Sequence, residues 1–428
     1  MFRSLAIALL ALTSGQALAQ TPRETVGAVA TRIREIYFSA EKGDAIADAL
    51  EAEAAAGRYD QLTDPRDLAA SLSNRLRPED AHFNVMWSAE PMPPGRGAPG
   101  PVHGPRPPGP PAQGGIDPDR FSNYGFAGVS VLPGNIGLIE MRSFANIDFG
   151  NPNDPARRAA DAALALVANA DAVIFDLRNN GGGAPSMVGY LVSAFTPPDA
   201  NIYNVFHSRQ GTRDEKPEQF HANPRLDVPV YVLISARTGS AAEAFPYTLQ
   251  AARRATIVGE ASGGAANPGG IVPIPGGFRV FISGGSPVNP VTGRNWEGTG
   301  VVPELATPAA DALNAAWARA LDAIVAGDAR RTDAVWARQA LDAAGKPASA
   351  LPAYAGSYGP LSVVETNGRL ELRRDRRPPL VLQSLGGDLF TVTTDPLMHV
   401  TFERDGAGKI VAVSQAAPYG PPQRQRRD

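Results

Sequence analysis

Residues 228–243 read VPVYVLISARTGSAAE, and this stretch decides how the rest of the chain folds. Its first seven residues are mostly β-branched or aromatic, which predicts a buried strand. The run breaks at Thr238-Gly239, and the alanines and glutamate that follow favour a helix. This strand–turn–helix junction places Ser240 at a helix N-terminus, where unpaired N–H groups and the helix dipole stabilise negative charge.

Two interpretations of Ser240 follow from this position. Ser240 and Glu243 form an S-x-x-E pattern, which is typical of a capping box that only begins a helix. Alternatively, the hydroxyl is a nucleophile that attacks a carbonyl while neighbouring amides hold the oxyanion. For such a short motif alone the cap is the commoner outcome, so the surrounding sequence has to decide.

Two further motifs accompany the junction. Residues 173–183 read VIFDLRNNGGG, a hydrophobic strand that runs into a glycine-rich turn, and residues 256–264 read TIVGEASGG. In this order the three motifs resemble the S41 family of serine peptidases, which includes carboxy-terminal processing proteases, tricorn core proteases and interphotoreceptor retinoid-binding proteins. The resemblance covers residues 122–305 and implies a crotonase-like α/β core that hydrolyses peptide bonds.

The resemblance offers two choices for the base that activates the serine. One S41 branch uses a lysine some two dozen residues after the serine. This chain has only Lys42, Lys216, Lys346 and Lys409, and none lies between Ser240 and Lys346. Arginine cannot replace lysine because it stays protonated. The sequence therefore predicts against a Ser–Lys dyad.

The tricorn-like branch implies a histidine base before the core and a glutamate after the serine. His82, in EDAHF, resembles the family's Asp-x-His segment, and Glu297, in WEGTGVVP, resembles its glutamate before Gly-Val-x-Pro. An exposed helix-end histidine and a solvated loop carboxylate are the alternatives. In that branch a serine precedes the histidine, whereas this chain has Ala81. Either Glu297 contacts His82 directly, or another hydroxyl fills the gap, or the site is weakened.

Backbone groups are expected to hold the oxyanion. The candidates are the N–H of Ala241 and that of a glycine in the turn, for which we choose Gly182, because glycine lets the backbone approach a substrate closely. Asp176 and Arg178 are expected either to pair and brace this turn or to form a weak surface ion pair. No cofactor and no metal ion is expected.

Composition indicates where the protein acts. Residues 1–19 combine Arg3, an apolar run and an A-x-A site, which predicts a cleavable signal peptide and no integral membrane segment after its removal. The chain has no cysteine, so we expect no lipid attachment, disulfide or thiolate metal site. Its net charge of −3 gives no basis for a nucleic-acid partner. The expected location is the periplasm or the cell exterior.

Four segments are predicted after the signal peptide. Residues 20–90 have apolar residues at helical spacing, and residues 91–117 form a linker rich in proline and glycine. Alternating strands and helices over residues 118–345 indicate the α/β core. Residues 346–428 alternate short strands with glycine turns, which predicts a small antiparallel β-module with a disordered tail at residues 421–428.

Local signals define three elements inside the core. The sequence PGG at residues 275–277, between two apolar runs, predicts a hairpin. Residues 308–325 and 333–344 are predicted as helices, the first with Thr307 as its cap and Pro308 in its first turn.

We therefore expect an exported serine peptidase of the tricorn-like S41 branch that acts on a peptide or protein. Ser240 would attack, His82 would shuttle the proton, and Glu297 would orient the histidine or compensate its charge. Two alternatives remain: a non-catalytic S41-fold module that binds a ligand or protein, and a structural envelope protein. The joint presence of the three residues favours the enzyme, whereas Ala81 favours the alternatives.

Overall fold

The computed structural model describes residues 20–90, 117–344, 346 and 351–428. The predicted signal peptide and residues 91–116 of the predicted linker lie outside these ranges. The helices are α1 Pro22–Ile36, α2 Ala40–Ala55, α3 Pro65–Leu76, α4 Pro155–Leu166, α5 Pro185–Ser193, α6 Ala241–Ala251, α7 Ala312–Gly327 and α8 Thr332–Ala343, with 3-10 segments at Pro118–Gly125, Pro275–Gly277 and Leu351–Tyr354. The strands are β1 Asn84–Trp87, β2 Phe126–Leu132, β3 Ile136–Met141, β4 Ala172–Asp176, β5 Val205–Ser208, β6 Gly211–Asp214, β7 Val230–Ile234, β8 Ala255–Gly259, β9 Gly269–Ile274, β10 Phe278–Ser283, β11 Gly285–Val288, β12 Leu305–Ala306, β13 Gly356–Tyr358, β14 Leu361–Thr366, β15 Arg369–Arg374, β16 Leu380–Gly386, β17 Leu389–Val392, β18 Asp395–Arg404, β19 Ile410–Ala416 and β20 Gln423–Arg426.

These elements form two compact units. The first unit contains residues 20–90, 208–211 and 267–286, and the second contains the remaining described residues. The domain boundaries that the sequence analysis places after residues 90, 117 and 345 stay predictions.

The first unit packs three helices against an antiparallel sheet of three strands in the order β1-β10-β9. Helix α1 begins at a capping box, in which the Thr21 N–H donates to Glu24 Oε2 and the Glu24 N–H donates to Thr21 Oγ1. Its buried face, with Val26 and Ile33, shares one apolar core with Val280 of the sheet. The predicted helices and the predicted hairpin, which is β9–β10, are both confirmed.

The second unit is built on a six-stranded sheet in the order β12-β8-β7-β4-β3-β2. β2 and β3 are antiparallel, and the strands from β3 to β12 in this order run parallel. Every residue of β4 and β7 is buried, because helices cover both faces of the sheet. Val173 and Phe175 face a core with α4, α5 and α6, whereas Ile174 faces α7 and α8.

Helix α7 begins later than predicted. The sequence favours a start at Pro308 with Thr307 as cap, but the helix starts at Ala312. Tertiary hydrogen bonds use the intervening backbone: the Ala309 N–H donates to Glu260 Oε1 at 3.0 Å, and the Ala309 carbonyl accepts Arg178 Nη1 at 2.7 Å. Glu260 and Arg178 are distant from Ala309 in sequence. A local sequence pattern therefore cannot reveal that Ala309 bonds to them instead of forming the first turn of the helix.

The predicted β-module is an antiparallel meander of eight strands, β13 to β20, each paired with the next. The expectation of a disordered tail is wrong for Gln423–Arg426, which pairs with β19 and carries an ion pair between Arg424 and Glu403 at 2.8 Å. The predicted fold class is confirmed: an α/β core, an N-terminal helical segment and a C-terminal antiparallel β-module.

Among the described residues, no helix has both the length and the apolar character needed to cross a membrane.

Gly259 is predicted to be irreplaceable where β8 meets β7. It has φ 127°, and a Cβ there would lie 2.1 Å from the Ile234 carbonyl oxygen. Gly211 has the similar φ of 120° but open space around it. We expect Gly211→Ala to cost about 1–2 kcal/mol of unfolding free energy through backbone strain, and Gly259→Ala to cost about 1–3 kcal/mol more through the added clash. Urea titrations followed by circular dichroism measure both; equal losses would contradict the clash.

Candidate active site

Ser240 lies at the junction of β7 and α6, as the sequence predicts. The turn before it is fixed by one side chain, because Thr238 Oγ1 donates to the Leu177 carbonyl at 2.9 Å and accepts the Ser235 N–H at 3.0 Å. The serine turn is therefore tied to the carboxyl end of the neighbouring strand β4, the edge at which parallel sheets bind ligands.

The backbone of Ser240 has φ 56° and ψ −125°. An ordinary N-cap residue is extended, and its side-chain oxygen accepts an N–H from the first turn of the helix. Ser240 is not extended, and its backbone carbonyl accepts the Glu243 N–H at 2.8 Å. A non-glycine residue in a strained region costs about 1–3 kcal/mol, and such residues cluster at active sites. The geometry therefore favours the nucleophile over the helix cap.

Glu243, which the sequence presents as half of a capping box, is fully buried. Its Oε2 accepts the N–H of Ser240 at 2.7 Å and that of Ala265 at 2.9 Å. Its Oε1 accepts the Ser262 hydroxyl at 2.6 Å and the Gly264 N–H at 2.7 Å. These four hydrogen-bond donors offset the free-energy cost of removing the Glu243 carboxylate from water. The S-x-x-E pattern signals the first of these bonds, and no local pattern signals the others.

The glycine turn lies directly against Ser240. Gly182 has φ 118°, and a Cβ there would lie 2.8 Å from Ser240 Cβ and 2.9 Å from the Gly239 carbonyl oxygen, so only glycine fits. Its N–H, however, donates to Asn180 Oδ1 at 3.0 Å. Gly182 as an oxyanion donor stays a prediction, and it requires this bond to open.

Asn180 is a residue that the sequence analysis did not single out. It is fully buried, and its carbonyl accepts the Gly239 N–H at 3.1 Å, so it joins the glycine turn to the serine turn. Its Nδ2 is buried without a hydrogen-bond partner in the part of the chain that the structure describes. Buried polar groups rarely stay unpaired, so this amide is an unused donor close to the serine turn.

Ala241 supplies the second predicted oxyanion donor. It is the first residue of α6 and is buried. The N–H groups in the first turn of a helix have no intrahelical acceptor, and they lie at the positive end of the helix dipole. Its position directly after the nucleophile suits the predicted role, which stays a prediction.

Glu297 is half-buried in the loop before β12. Its Oε2 accepts the Ala266 N–H at 2.8 Å, and its own N–H donates to Asn295 Oδ1 at 3.0 Å. The preceding residue, Ala265, donates to Glu243. The backbone of two consecutive residues, Ala265 and Ala266, therefore links Glu243 to Glu297. Glu297 is held in place by this contact and is not a solvated loop carboxylate.

His82 belongs to the first unit, whereas the other predicted site residues belong to the second. Its Nδ1 lies 3.3 Å from Asp80 Oδ1, and its ring stacks on Phe281 with 5.6 Å between centroids. Burial acts to raise the pKa of Asp80, but hydrogen bonds from His82 and Ser283 hold this pKa below its usual range. Asp80 is an acidic partner of His82 that the sequence analysis did not assign, although the Asp-x-His pattern contains it.

Asp176 and Arg178 form the bracing pair that the sequence allows. Arg178 Nη2 donates to Asp176 Oδ2 at 2.7 Å and Nε donates to Oδ1 at 2.9 Å, while Asp176 is 2% exposed. The hydrogen bonds to Asp176 raise the pKa of Arg178 above its usual value. This bidentate, buried arrangement is stronger than a surface ion pair, so the bracing interpretation is confirmed.

Part of the chain is similar to known proteins. Residues 135–307 match the model of Peptidase family S41, so the resemblance to this family is confirmed for that segment. A carboxyl-terminal-processing protease from Synechocystis sp. is 40% identical over 93 residues, which is 21% of this chain and 20% of that protein. The chain thus matches about a fifth of the length of that relative. Family and relative together support a serine peptidase.

Solved structures with a related fold were also found. A proposed peptidase from Parabacteroides merdae has a TM-score of 0.46 and 18% identity, with 68% of this chain and 90% of that chain covered. The photosystem II D1 C-terminal processing protease has a TM-score of 0.41 and 15% identity, with 68% and 94% covered.

Glu243→Gln tests the role of the buried carboxylate. The amide NH₂ would face N–H donors, so we expect a loss of about 3 kcal/mol of unfolding free energy, measured by urea titration. Glu260→Gln is the matched control, because Glu260 is exposed and its amide oxygen could still accept the Ala309 N–H. The control should change stability by about 0.5 kcal/mol or less. Similar losses in both variants would contradict the role of Glu243.

Proposed function

We propose that the protein is an exported serine endopeptidase that hydrolyses peptide or protein substrates through an acyl-enzyme on Ser240. The observation that carries the proposal is the strained backbone of Ser240, with Gly182 packed directly against it, in a segment that matches Peptidase family S41. A helix cap needs neither the positive φ nor the glycine that packs against it, whereas an attacking hydroxyl needs both exposure and nearby backbone donors.

In the first step, Ser240 Oγ attacks the scissile carbonyl carbon and His82 accepts the hydroxyl proton. The carbonyl oxygen becomes an oxyanion, which the N–H of Ala241 stabilises together with that of Gly182 once its bond to Asn180 opens. The carbon–nitrogen bond then breaks, and the leaving amine takes the proton from His82. In the second step, water gives a proton to His82 and attacks the ester carbonyl carbon. The bond from this carbon to Ser240 Oγ then breaks and His82 returns the proton to Oγ, which releases the acid and restores Ser240.

Two carboxylates support the histidine in this proposal. Asp80 accepts from the Nδ1 side of His82, which fixes the ring tautomer and stabilises the imidazolium that forms when the proton is taken. Glu297 compensates positive charge in the site, as the tricorn-like resemblance implies. Ala81 takes the place of the bridging serine of that branch, and Asp80 is an acidic partner already present beside His82.

Export is part of the proposal because of the composition of residues 1–19. We place the mature protein in the periplasm or outside the cell.

A non-catalytic S41-fold binding module is the second candidate. The bond from the Gly182 N–H to Asn180 Oδ1 favours it, because this bond occupies one of the two proposed oxyanion donors. The peptidase and the binding module differ in how readily the Ser240 hydroxyl reacts. A fluorophosphonate probe should label Ser240 rapidly in the enzyme and not at all in the binding module.

Ser240→Ala should abolish probe labelling and lower hydrolysis of an unfolded protein substrate by about a thousandfold or more. The unfolding free energy should change by about 1 kcal/mol or less, because Ser240 is exposed and alanine keeps the backbone N–H that donates to Glu243. Ser362→Ala in the β-module is the control and should label normally. A destabilised variant that still hydrolyses substrate would sink the nucleophile assignment.

The rate of hydrolysis should rise through an ionisation near neutral pH, as expected for a histidine base. His82→Ala should lose this rise and lower kcat/KM by about a hundredfold or more. His221→Ala is the matched control and should stay within about twofold of the parent. Retention of most kcat/KM in His82→Ala would show that the base is another residue.

A further inference from the structure

The β-module is a curled sheet whose two ends come together. Its eight strands follow one another in sequence order, so successive turns lie alternately at its two ends. Beyond β20, the Asp428 N–H donates to the Ser357 carbonyl in β13 at 3.0 Å, and Asp428 Oδ1 accepts the Gly359 N–H at 3.2 Å. The first and last strands therefore meet. Eight-stranded sheets that close in this way have an interior wide enough for side chains or for one small ligand.

Aromatic side chains fill one end of this interior. Tyr354 packs against Phe390 and Phe402 with ring centroids 5.1 Å and 4.7 Å apart. Its hydroxyl donates to Asp388 Oδ1 at 2.9 Å, in the turn between β16 and β17. The end that contains this turn is therefore closed by packed rings.

The opposite end, which contains the β15–β16, β17–β18 and β19–β20 turns, holds a cavity of about 730 Å³. Leu361 and Leu372, both buried, line it together with the partly buried Leu380 and Met398. The volume lies in the range of small-molecule sites, and an apolar wall of this kind favours a hydrocarbon.

The rim of the cavity is basic. Arg374 and Arg377, both exposed, line it from the β15–β16 turn, and the Arg377 N–H donates to the Arg374 carbonyl at 3.0 Å. Neither guanidinium makes an ion pair or a side-chain hydrogen bond with any residue in the described ranges. Asp395 also lines the rim, but its Oδ1 accepts the Leu397 N–H at 3.2 Å within its own turn. An apolar cavity with two available guanidinium groups at its mouth suits an anion on a hydrocarbon chain.

We propose that this cavity binds one fatty acid, with the alkyl chain in the cavity and the carboxylate at Arg374 and Arg377. A peptide fits less well, because its backbone N–H and C=O groups need partners, whereas the side chains of Leu361, Leu372 and Leu380 that line this cavity offer none. A phospholipid would bring two chains to a cavity sized for one small ligand. The site is separate from Ser240 and does not rest on the proposed peptidase activity.

Binding is measured with the full chain and dansyl-undecanoic acid, a fluorescent fatty acid that brightens in apolar sites. We expect saturable binding at one site per chain and displacement by laurate. Dodecanol, which has the same chain without the charge, should displace the probe about tenfold less effectively. Phosphatidylglycerol vesicles should not co-sediment with the protein. Absence of saturable binding, or binding to the vesicles alone, overturns the proposal.

Two pairs of variants locate the site. Arg374→Glu with Arg377→Glu should weaken laurate about tenfold or more, while Arg369→Glu with Arg426→Glu, which makes the same charge change at exposed positions outside the cavity, should stay within about twofold. Equal weakening in the two double variants would contradict a carboxylate at this rim.

The second pair tests the cavity itself. Ala417→Trp puts a large ring at the mouth of the cavity and should weaken laurate and dodecanol alike by about tenfold. Ala407→Trp makes the same change at an exposed alanine in the β18–β19 turn, at the filled end, and should leave both affinities unchanged. Unchanged laurate binding in Ala417→Trp would place the ligand elsewhere and overturn the proposal.

Discussion

The carboxylate of Glu243 has lost all contact with water, so its oxygens must be satisfied by the protein. The donors that satisfy it come from two segments: the turn that carries Ser240, and the loop at residues 262–265. The next residue of that loop, Ala266, donates to Glu297. The need to satisfy this buried carboxylate thus fixes the position of the candidate nucleophile Ser240 relative to that of Glu297, although the two residues are far apart in sequence.

The parallel sheet supplies the second constraint. β4 and β7 are neighbouring strands, and two hydrogen bonds join the turns that follow them. The Thr238 hydroxyl donates to the Leu177 carbonyl, and the Gly239 N–H donates to the Asn180 carbonyl. Because both turns lie at the same edge of the sheet, the glycine turn and the serine turn come into van der Waals contact. Asp176 and Arg178 hold this edge against the segment before α7, and this contact is also what delays the start of that helix.

The sequence predicted those features that depend on neighbouring residues. Apolar runs located β4 and β7, PGG located the hairpin, and the order of three motifs located the S41 domain. It could not decide whether Ser240 is a cap or a nucleophile, since both use the same S-x-x-E pattern and differ only in backbone conformation. It missed the start of α7 and the three further bonds of Glu243 because their partners lie between about twenty and 130 residues away in the chain. The polar composition of residues 423–426 likewise concealed a strand whose pairing depends on β19.

The bond between Ser357 and Asp428 has an evolutionary consequence. It brings Ser357, in the first strand of the β-module, next to Asp428, so the stretch from residue 357 to residue 428 begins and ends at nearly the same place. A unit with adjoining ends can be inserted into a surface loop of an unrelated protein, or lost from its host, without pulling the flanking chain apart. The β-module also contacts helix α8, because Trp336 stacks on His399 with 3.7 Å between ring centroids and the Tyr419 hydroxyl donates to Asp333. A lineage that exchanged the module would therefore have to replace these two contacts, but it would not have to reroute the chain.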